Sequence, residues 1–304
     1  MNEKVKGYFF GILAAVAYGT NPLGALFLYQ EGFNPPSVIF YRFLLAVMIL
    51  FVILKCMKVS LRINKTEFKV LSSLGVLFAA SALTLYTSFK YMDSGIASTI
   101  LFSYPIMVAV IMALFFKEKT SLLTIISIAL SLCGILFLYQ GDGEVRLSLL
   151  GVVLVLLSSL TYAVYIVIVN RSKITMTPFK MTFYIMSVAA IMTLLYSFLS
   201  PQNHLIMIPS WQSFGWCVML ACVPTIIAMT FLNLAVFYIG STPAAIMGAL
   251  EPVTAVLISI TVFNGVFTLR LAIGILLILS AVLLIVGSKK IIKHPHKAKG
   301  PLNK

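Results

Sequence analysis

Two charged side chains stand inside otherwise apolar stretches of this sequence, and they are the residues best placed to do chemistry. Glu251 lies about ten residues into one apolar run, and Arg42 lies about five residues into another. A charge at such depth in a lipid bilayer costs about 2.5–3.5 kcal/mol on insertion scales, so it needs a partner, a proton or water. We expect Glu251 to contact a substrate amine or to bind a coupling proton. The alternative is a buried, hydrogen-bonded carboxyl that only fixes helix packing.

Arg42 has two interpretations. Because it lies near one end of its run, its long stem could reach the membrane surface and place the guanidinium on Glu31 or Asp93. In the other interpretation, Arg42 acts as a gate or as the contact for a substrate carboxylate. The sequence leaves both open.

Prolines interrupt two of the apolar runs. Pro252 directly follows Glu251, and Pro105 holds the matching place in an earlier run. A proline inside a helix frees the backbone carbonyl one turn earlier, which a membrane tolerates where neighbours or a cavity satisfy that group. We therefore assign Pro105 and Pro252 a gating or structural role. The residues predicted to share the inward face of Glu251 are Met247, Thr254 and Ile258.

Tyrosine, asparagine and serine recur at mid-depth in several runs. Tyrosine and asparagine at that depth need hydrogen-bond partners, so together they predict the wall of a polar cavity. A single serine or threonine is more often a packing contact between helices. With Glu251, the predicted substrate-binding residues are Tyr18, Asn21, Tyr86, Ser103, Tyr104, Tyr162, Tyr165, Asn233 and Met247.

Patterns typical of catalysis are absent from the sequence. No two carboxylates share a segment, and neither GxxxxGK[ST] nor HExxH occurs. The four cysteines form no CxxC pair, which indicates reduced, packed thiols. We expect no enzymatic activity, no metal site and no cofactor.

The composition identifies the elements that must position these residues. Of the 304 residues, 61% are hydrophobic and only 10% are charged, which excludes a soluble enzyme, a disordered chain and a disulfide-stabilised secreted domain. Runs of about 20 apolar residues are long enough to cross a bilayer as helices. We therefore predict an all-α membrane protein with ten transmembrane helices. The predicted spans are residues 7–29, 37–57, 67–89, 94–116, 121–140, 147–169, 179–199, 212–237, 241–263 and 268–288.

The basic residues predict the orientation. With the N-terminus in the cytoplasm, 18 of the 22 lysines and arginines lie on the inner side and 3 on the outer side. We therefore expect a multi-pass protein of the cytoplasmic membrane with both termini inside and a basic tail at 289–304. The net charge of +14 comes from these basic residues on the cytoplasmic side, so we expect membrane lipids and no nucleic acid as partners. The first run continues past Ala17, so we expect it to be retained rather than cleaved as a signal peptide.

An internal repeat is visible along the chain. Gly7 and Tyr18 match Gly151 and Tyr162 at an offset of 144 residues. Later matches share an offset of 147: Tyr91 with Tyr238, Ser94 with Ser241, and Pro105 with Pro252. These matches divide the chain into halves at 1–140 and 147–288 with five spans each. Because five is odd, the second half enters the membrane from the opposite side, and such inverted repeats support alternating access.

Several short motifs accompany this organisation, and the chain resembles the EamA-type branch of the drug/metabolite transporter superfamily over nearly its whole length. The resemblance implies a secondary carrier, often an exporter of amino acids or other metabolites. It also implies a central cavity built from the first, third, fourth, sixth, eighth and ninth spans. The chain departs from the family pattern after the ninth span, where Asn264-Gly265-Val266 replaces Gly-Glu. The motifs that carry the resemblance are Phe40-Tyr41-Arg42-Phe43-Leu44-Leu45-Ala46, Pro105 followed by Phe116-Lys117-Glu118, and Glu251-Pro252.

The sequence thus predicts a secondary transporter that exports small metabolites such as amino acids. The expected partners are a small-molecule substrate and a coupling proton or an exchanged counter-substrate, and the oligomeric state is not predicted. The alternatives are a membrane-embedded enzyme, a lipid-handling protein, and a proton-independent facilitator or channel.

Overall fold

The protein is built from helices, and their bounds follow the apolar runs. The computed structural model describes residues 3–117, 122–139, 148–172, 174, 176–199, 203–239, 247–248 and 250–288, and no strand occurs among them. The helices are α1 Glu3–Gly19, α2 Asn21–Gln30, α3 Pro35–Cys56, α4 Lys65–Ser88, α5 Ser94–Leu101, α6 Tyr104–Phe116, α7 Leu122–Tyr139, α8 Leu149–Arg171, α9 Pro178–Ser197, α10 Trp211–Ala221, a π-helical turn Cys222–Ile227, α11 Ala228–Ile239, α12 Leu250–Phe263 and α13 Leu269–Ser288.

Many of these helices are long and apolar enough to cross a membrane. Within the described ranges, seven candidate spans meet both requirements, and three of them join consecutive helices across a break. Three shorter apolar helices accompany them. The seven are Glu3–Gln30, Pro35–Cys56, Lys65–Ser88, Ser94–Phe116, Leu149–Val169, Pro178–Ser197 and Trp211–Val236. The three are Ile125–Phe137, Leu250–Phe263 and Leu269–Leu284.

Polar caps set several helix ends just outside the apolar runs. The Asn64 side chain accepts a hydrogen bond from Glu67 N at 2.7 Å, and Glu67 accepts one from Asn64 N at 2.8 Å, which is a complete capping box for α4. Asn34 caps α3 in the same way through Ser37 N at 3.0 Å. Three predicted features lie outside the described residues, namely Glu118, the repeat position Ser241 and the basic tail 289–304.

The helices pack mainly across the predicted boundary between the two halves. The most extensive pairs are α7 with α13, α1 with α11, α4 with α8, α3 with α9, α4 with α9, and α5 with α12. Each pair joins a helix that ends before residue 140 to one that begins after residue 148. The first and second parts of the chain are therefore interlocked, and any cavity between them is lined by residues of both parts.

Candidate functional site

A central cavity of about 150 Å³ lies where the two parts of the chain meet. Six of the ten predicted substrate-binding residues line it, together with Arg42. The six are Tyr18, Asn21, Tyr86, Tyr104, Tyr162 and Glu251. The rest of the lining is small or apolar apart from two serines, and it consists of Gly11, Ala14, Ala15, Phe78, Ser81, Ala82, Leu85, Ser98, Leu101, Phe102, Leu232 and Gly248.

Helix breaks at prolines surround this cavity. Pro22 lies in the first turn of α2 and Pro105 in the first turn of α6, directly after interruptions of the first and fourth apolar runs. Pro224 lies in the π-helical turn, and Pro252 is a buried residue of α12. The predicted break at Pro105 thus lies beside Tyr104, which lines the cavity.

Each proline frees the backbone carbonyl four residues earlier, and a side-chain hydroxyl donates to two of these four carbonyls. Ser159 Oγ donates to the Leu101 carbonyl at 3.0 Å, and Thr225 Oγ1 donates to the Leu220 carbonyl at 2.9 Å. The other two freed carbonyls belong to Tyr18 and Gly248, and both residues line the cavity. At Pro105 and Pro224 a side-chain hydroxyl therefore replaces the donor that the proline removes.

Arg42 is held at the cavity by hydrogen bonds to two other elements, the π-helical turn and α4. Its Nε donates to Thr225 Oγ1 at 2.9 Å, and its Nη1 donates to the Tyr86 hydroxyl at 2.7 Å. The Tyr86 hydroxyl donates in turn to Asn21 Oδ1 at 3.3 Å. Arg42 is only 6% exposed, so the guanidinium lies inside the bundle rather than at its surface.

The expected anchors of Arg42 have other partners, which corrects that interpretation. Glu31 accepts a hydrogen bond from Ser213 Oγ, and Asp93 accepts one from Ser259 Oγ. Asp93 also caps α5 through Gly95 N at 2.8 Å. Both carboxylates link the N-terminal part of the chain to the C-terminal part, near the ends of α2 and α4 where these helices approach the same side of the bundle.

Several polar groups of the wall remain available to a ligand. The Glu251 carboxylate makes no hydrogen bond to the described part of the chain, and neither do the hydroxyls of Tyr18, Tyr104 and Tyr162. Ser94 Oγ is the only fully buried side-chain polar atom without a partner among the residues described. The Glu251 carboxylate and the three tyrosine hydroxyls also lack a hydrogen bond, but they are not among the fully buried atoms. Their oxygens are therefore accessible from the cavity.

Aromatic rings form one side of the cavity. Tyr104 meets Tyr162 edge to face with ring centroids 4.8 Å apart, and Phe102 meets Tyr104 at 5.9 Å. Tyr165 stacks behind Tyr162 at 5.6 Å, with the two rings nearly parallel. These contacts fix the ring orientations, so the wall is preformed.

Four predicted substrate-binding residues do not line the cavity. The Ser103 hydroxyl pairs with Ser159 Oγ at 3.2 Å, and Tyr165 lies in the second layer behind Tyr162. Met247 packs against α1, because a Cβ added at Gly11 would lie 3.0 Å from its Cγ. Asn233 is exposed and borders a separate small hollow beside α9.

The position of Asn233 has a physical reason. The π-helical turn Cys222–Ile227 accommodates one extra residue, so everything after it is rotated by about 100° relative to a continuous α-helix. The prediction for Asn233 rested on its depth in the span and took no account of this rotation. The shared inward face of α12 also differs from the prediction, because Thr254 packs against Gly19 while Glu251 reaches the cavity.

Sequence reasoning missed Thr225 and the aromatic residues Phe78 and Phe102. The signal for Thr225 is its place directly after Pro224, where a hydroxyl can satisfy the freed carbonyl. Phe78 and Phe102 carry no such signal, because phenylalanine is equally common on lipid-facing surfaces. Among the described residues, no group of His, Cys, Asp and Glu side chains is arranged to hold a metal ion.

Comparison with known proteins connects this arrangement to transport. The model of the EamA-like transporter family matches residues 5–140 and 149–287. An uncharacterized transporter of Archaeoglobus fulgidus is 23% identical over 273 residues, which cover 90% of this chain and 93% of the relative. An uncharacterized transporter of Synechocystis sp. is 29% identical over 187 residues, which cover 61% of this chain and 56% of the relative.

A solved crystal structure shares the fold. It aligns with 91% of this chain and 95% of its own length at a TM-score of 0.64 and 17% identity. The helical architecture described above is therefore one that an experimentally determined protein also adopts.

Proposed function

The chain belongs to the EamA-like transporter family, and from that premise we propose that it is a secondary transporter that exports small metabolites such as amino acids by alternating access. It is an integral, multi-pass membrane protein, and its family and relatives point to a transporter rather than an enzyme. The observation that carries the proposal is the central cavity, which lies between the interlocked parts of the chain and has both Arg42 and Glu251 on its wall.

We propose ten spans in two inverted halves, 1–140 and 147–288, with α7, α12 and α13 completing the seven longer spans. The helix pairing supports this architecture. A two-fold axis in the membrane plane exchanges the first span with the sixth and the third with the eighth. It therefore converts the α1–α11 pair into the α8–α4 pair and the α4–α9 pair into the α10–α3 contact, and it maps the other three extensive pairs onto themselves.

Two glycine contacts support the same axis at the level of single residues. A Cβ added at Gly7 would lie 2.8 Å from Tyr238 Cβ, and a Cβ added at Gly151 would lie 3.2 Å from Tyr91 Cβ. Gly7 and Gly151 are repeat-related, and so are Tyr91 and Tyr238. The same glycine–tyrosine contact thus occurs once at each end of the bundle.

The substrate class follows from the charges on the wall. A zwitterion such as an amino acid presents a carboxylate to Arg42 and an ammonium group to Glu251, and each of these groups would find an opposite charge. The aromatic rings Tyr104, Tyr162 and Phe102 and the nearby leucines suit an apolar side chain. The cavity volume of about 150 Å³ suits a substrate of amino-acid size.

Orientation and energy coupling complete the proposal. We place both termini in the cytoplasm of a cytoplasmic-membrane protein, so that the Glu31–Ser213 and Asp93–Ser259 contacts close the outer end of the cavity. Glu251 is the candidate for proton coupling, and exchange against a counter-substrate is the alternative. Opening the outer contacts while the inner end closes would release the substrate outside.

Uptake and efflux by the purified protein in liposomes test this function. The panel contains amino acids, nucleosides and cationic drugs, each assayed with and without an imposed pH gradient. We expect transport of one or more neutral amino acids, and we expect Glu251→Ala to abolish it while Glu3→Ala, at the exposed start of α1, does not. Absence of flux for the whole panel in protein that remains folded would contradict the proposal.

A further inference from the structure

Thr225 connects a helix break in the eighth span to the charged wall of the cavity. It belongs to the π-helical turn Cys222–Ile227 and directly follows Pro224. Its hydroxyl donates to the Leu220 carbonyl at 2.9 Å and accepts from Arg42 Nε at 2.9 Å. Thr225 is 1% exposed, so both bonds are sheltered from solvent and lipid.

The direction of these bonds is fixed by chemistry. A threonine hydroxyl has a single proton, and the Leu220 carbonyl, which Pro224 leaves without its usual donor, can only accept that proton. The lone pairs of Thr225 Oγ1 are thereby left for a donor, and Arg42 can only donate. The break at Pro224 therefore determines where an arginine Nε–H is held.

A second contact completes the immobilisation of the guanidinium. The Tyr86 hydroxyl accepts from Nη1 at 2.7 Å, so a planar group is held at two of its three nitrogens. Nη2 makes no hydrogen bond to the described residues, and it is not among their fully buried unpartnered atoms. Arg42 lines the cavity, so Nη2 is the part of the charge presented to it.

We propose that Thr225 is a positioning residue that orients Arg42 to receive the carboxylate of the substrate. This inference rests on the proposed transport of small zwitterions and identifies how one of their charges is recognised. A guanidinium held in advance loses less conformational freedom when a carboxylate binds, which raises affinity for ligands that carry one. Ligands without a carboxylate gain nothing from the same restraint.

The test compares L-leucine with L-leucinamide, which differ at the carboxylate. The affinity of each probe is measured for the full-length protein in lipid nanodiscs, and the ratio of the two affinities is the readout. We expect Thr225→Val to lower the preference for leucine about tenfold, the scale of one charge-assisted hydrogen bond, while leucinamide binds nearly as before. Thr225→Ser keeps the hydroxyl and should retain the preference.

Two further variants separate positioning from a general loss of structure. Thr230→Val removes another hydroxyl of the same span, whose only hydrogen bond within the described part of the chain goes to the Ile226 carbonyl at 2.7 Å, and it should leave the ratio unchanged. Tyr86→Phe releases Nη1 and should lower the ratio in the same direction as Thr225→Val. If Thr225→Val fails to fold, Tyr86→Phe still tests whether the restraint of Arg42 strengthens binding of ligands that carry a carboxylate.

The outcomes distinguish this inference from the proposed function. A wild-type preference for leucine that Thr225→Val and Tyr86→Phe both retain would overturn the positioning role and leave amino-acid transport standing. A wild-type protein that binds neither probe nor any amino acid of the transport panel would overturn both. Equal losses for leucine and leucinamide in Thr225→Val would assign Thr225 a purely structural role and also overturn the inference.

Discussion

Arg42 and Glu251 lie on the wall of the same cavity but form no ion pair with each other. Arg42 is engaged by neutral hydroxyls, and the Glu251 carboxylate makes no hydrogen bond within the described chain. Two opposite charges that form no ion pair inside a membrane protein raise the free energy of the folded state unless water or a ligand solvates them. The arrangement therefore favours occupation by a molecule that carries both signs.

Replacement of Glu251 by glutamine tests the role of its charge. The amide retains the shape of the side chain but can neither bind a coupling proton nor attract an ammonium group, so we expect transport to fall at least about tenfold. Any residual flux should no longer respond to an imposed pH gradient. The measurement is uptake into proteoliposomes at several gradients.

The matched control is Glu3→Gln, which changes a carboxylate at the exposed start of α1. It should reproduce the wild-type rate and the wild-type response to pH. A Glu251→Gln protein with an unchanged rate and an unchanged response would remove this carboxylate from the mechanism.

Tyr86→Phe should destabilise the protein. The Tyr86 side chain is 1% exposed, and its hydroxyl accepts from Arg42 and donates to Asn21. Its removal leaves a buried charged donor without that partner, which costs about 1–3 kcal/mol. Thermal unfolding in detergent should show a lower melting temperature, whereas Tyr91→Phe, at a side chain that is 41% exposed, should not change it.

Gly19→Ala should loosen the contact between α1 and α12. A Cβ at this position would lie 2.5 Å from Thr254 Cβ and 2.8 Å from the Glu251 carbonyl oxygen, so the helices must move apart. Overpacking of this kind costs about 1–3 kcal/mol and would also displace Glu251 from the cavity wall. We expect reduced stability and reduced transport together.

Gly215→Ala provides the comparison for this substitution. An added Cβ at Gly215 meets nothing within 4 Å, and alanine is the better helix former. Its melting temperature should equal or exceed that of the wild type. A Gly19→Ala protein as stable and active as Gly215→Ala would show that α1 and α12 do not need this close approach.

The two ends of α4 provide a test of orientation. Lys69 and Lys90 are exposed near its beginning and just beyond its end. In a variant without the native cysteines, Lys90→Cys should react with a membrane-impermeant maleimide in intact cells, and Lys69→Cys should react only after permeabilisation. The reverse pattern would invert the proposed topology.

The helices could be predicted closely because bilayer thickness constrains the length of apolar runs. The predicted span 37–57 is α3, Pro35–Cys56, and the predicted span 67–89 is α4, Lys65–Ser88. The interruption between α1 and α2 was not predicted. Apolar runs report the depth of a residue in the membrane but not the continuity of the helix that carries it.

The site could be predicted only in part, for the same reason. Polar groups in the first, third, fourth and sixth spans, such as Tyr18 and Tyr162, line the cavity, and the signal for them was their polar character at mid-depth in apolar runs. Asn233 follows the π-helical turn and lies on another face, and the restraint of Arg42 by Thr225 depends on that same turn. A one-residue insertion of this type leaves no mark in composition or hydropathy.

The interlocked packing has a consequence for how the chain is made. Since the most extensive contacts of α1, α3, α4 and α5 are with helices that begin after residue 148, the nascent N-terminal half leaves the ribosome without the neighbours that will bury its glycine-rich surfaces. Tertiary assembly must wait for the later helices to be inserted, and until then the early ones are exposed to lipid and to quality-control proteases. Two separately encoded halves would therefore accumulate only when both are produced in the same cell.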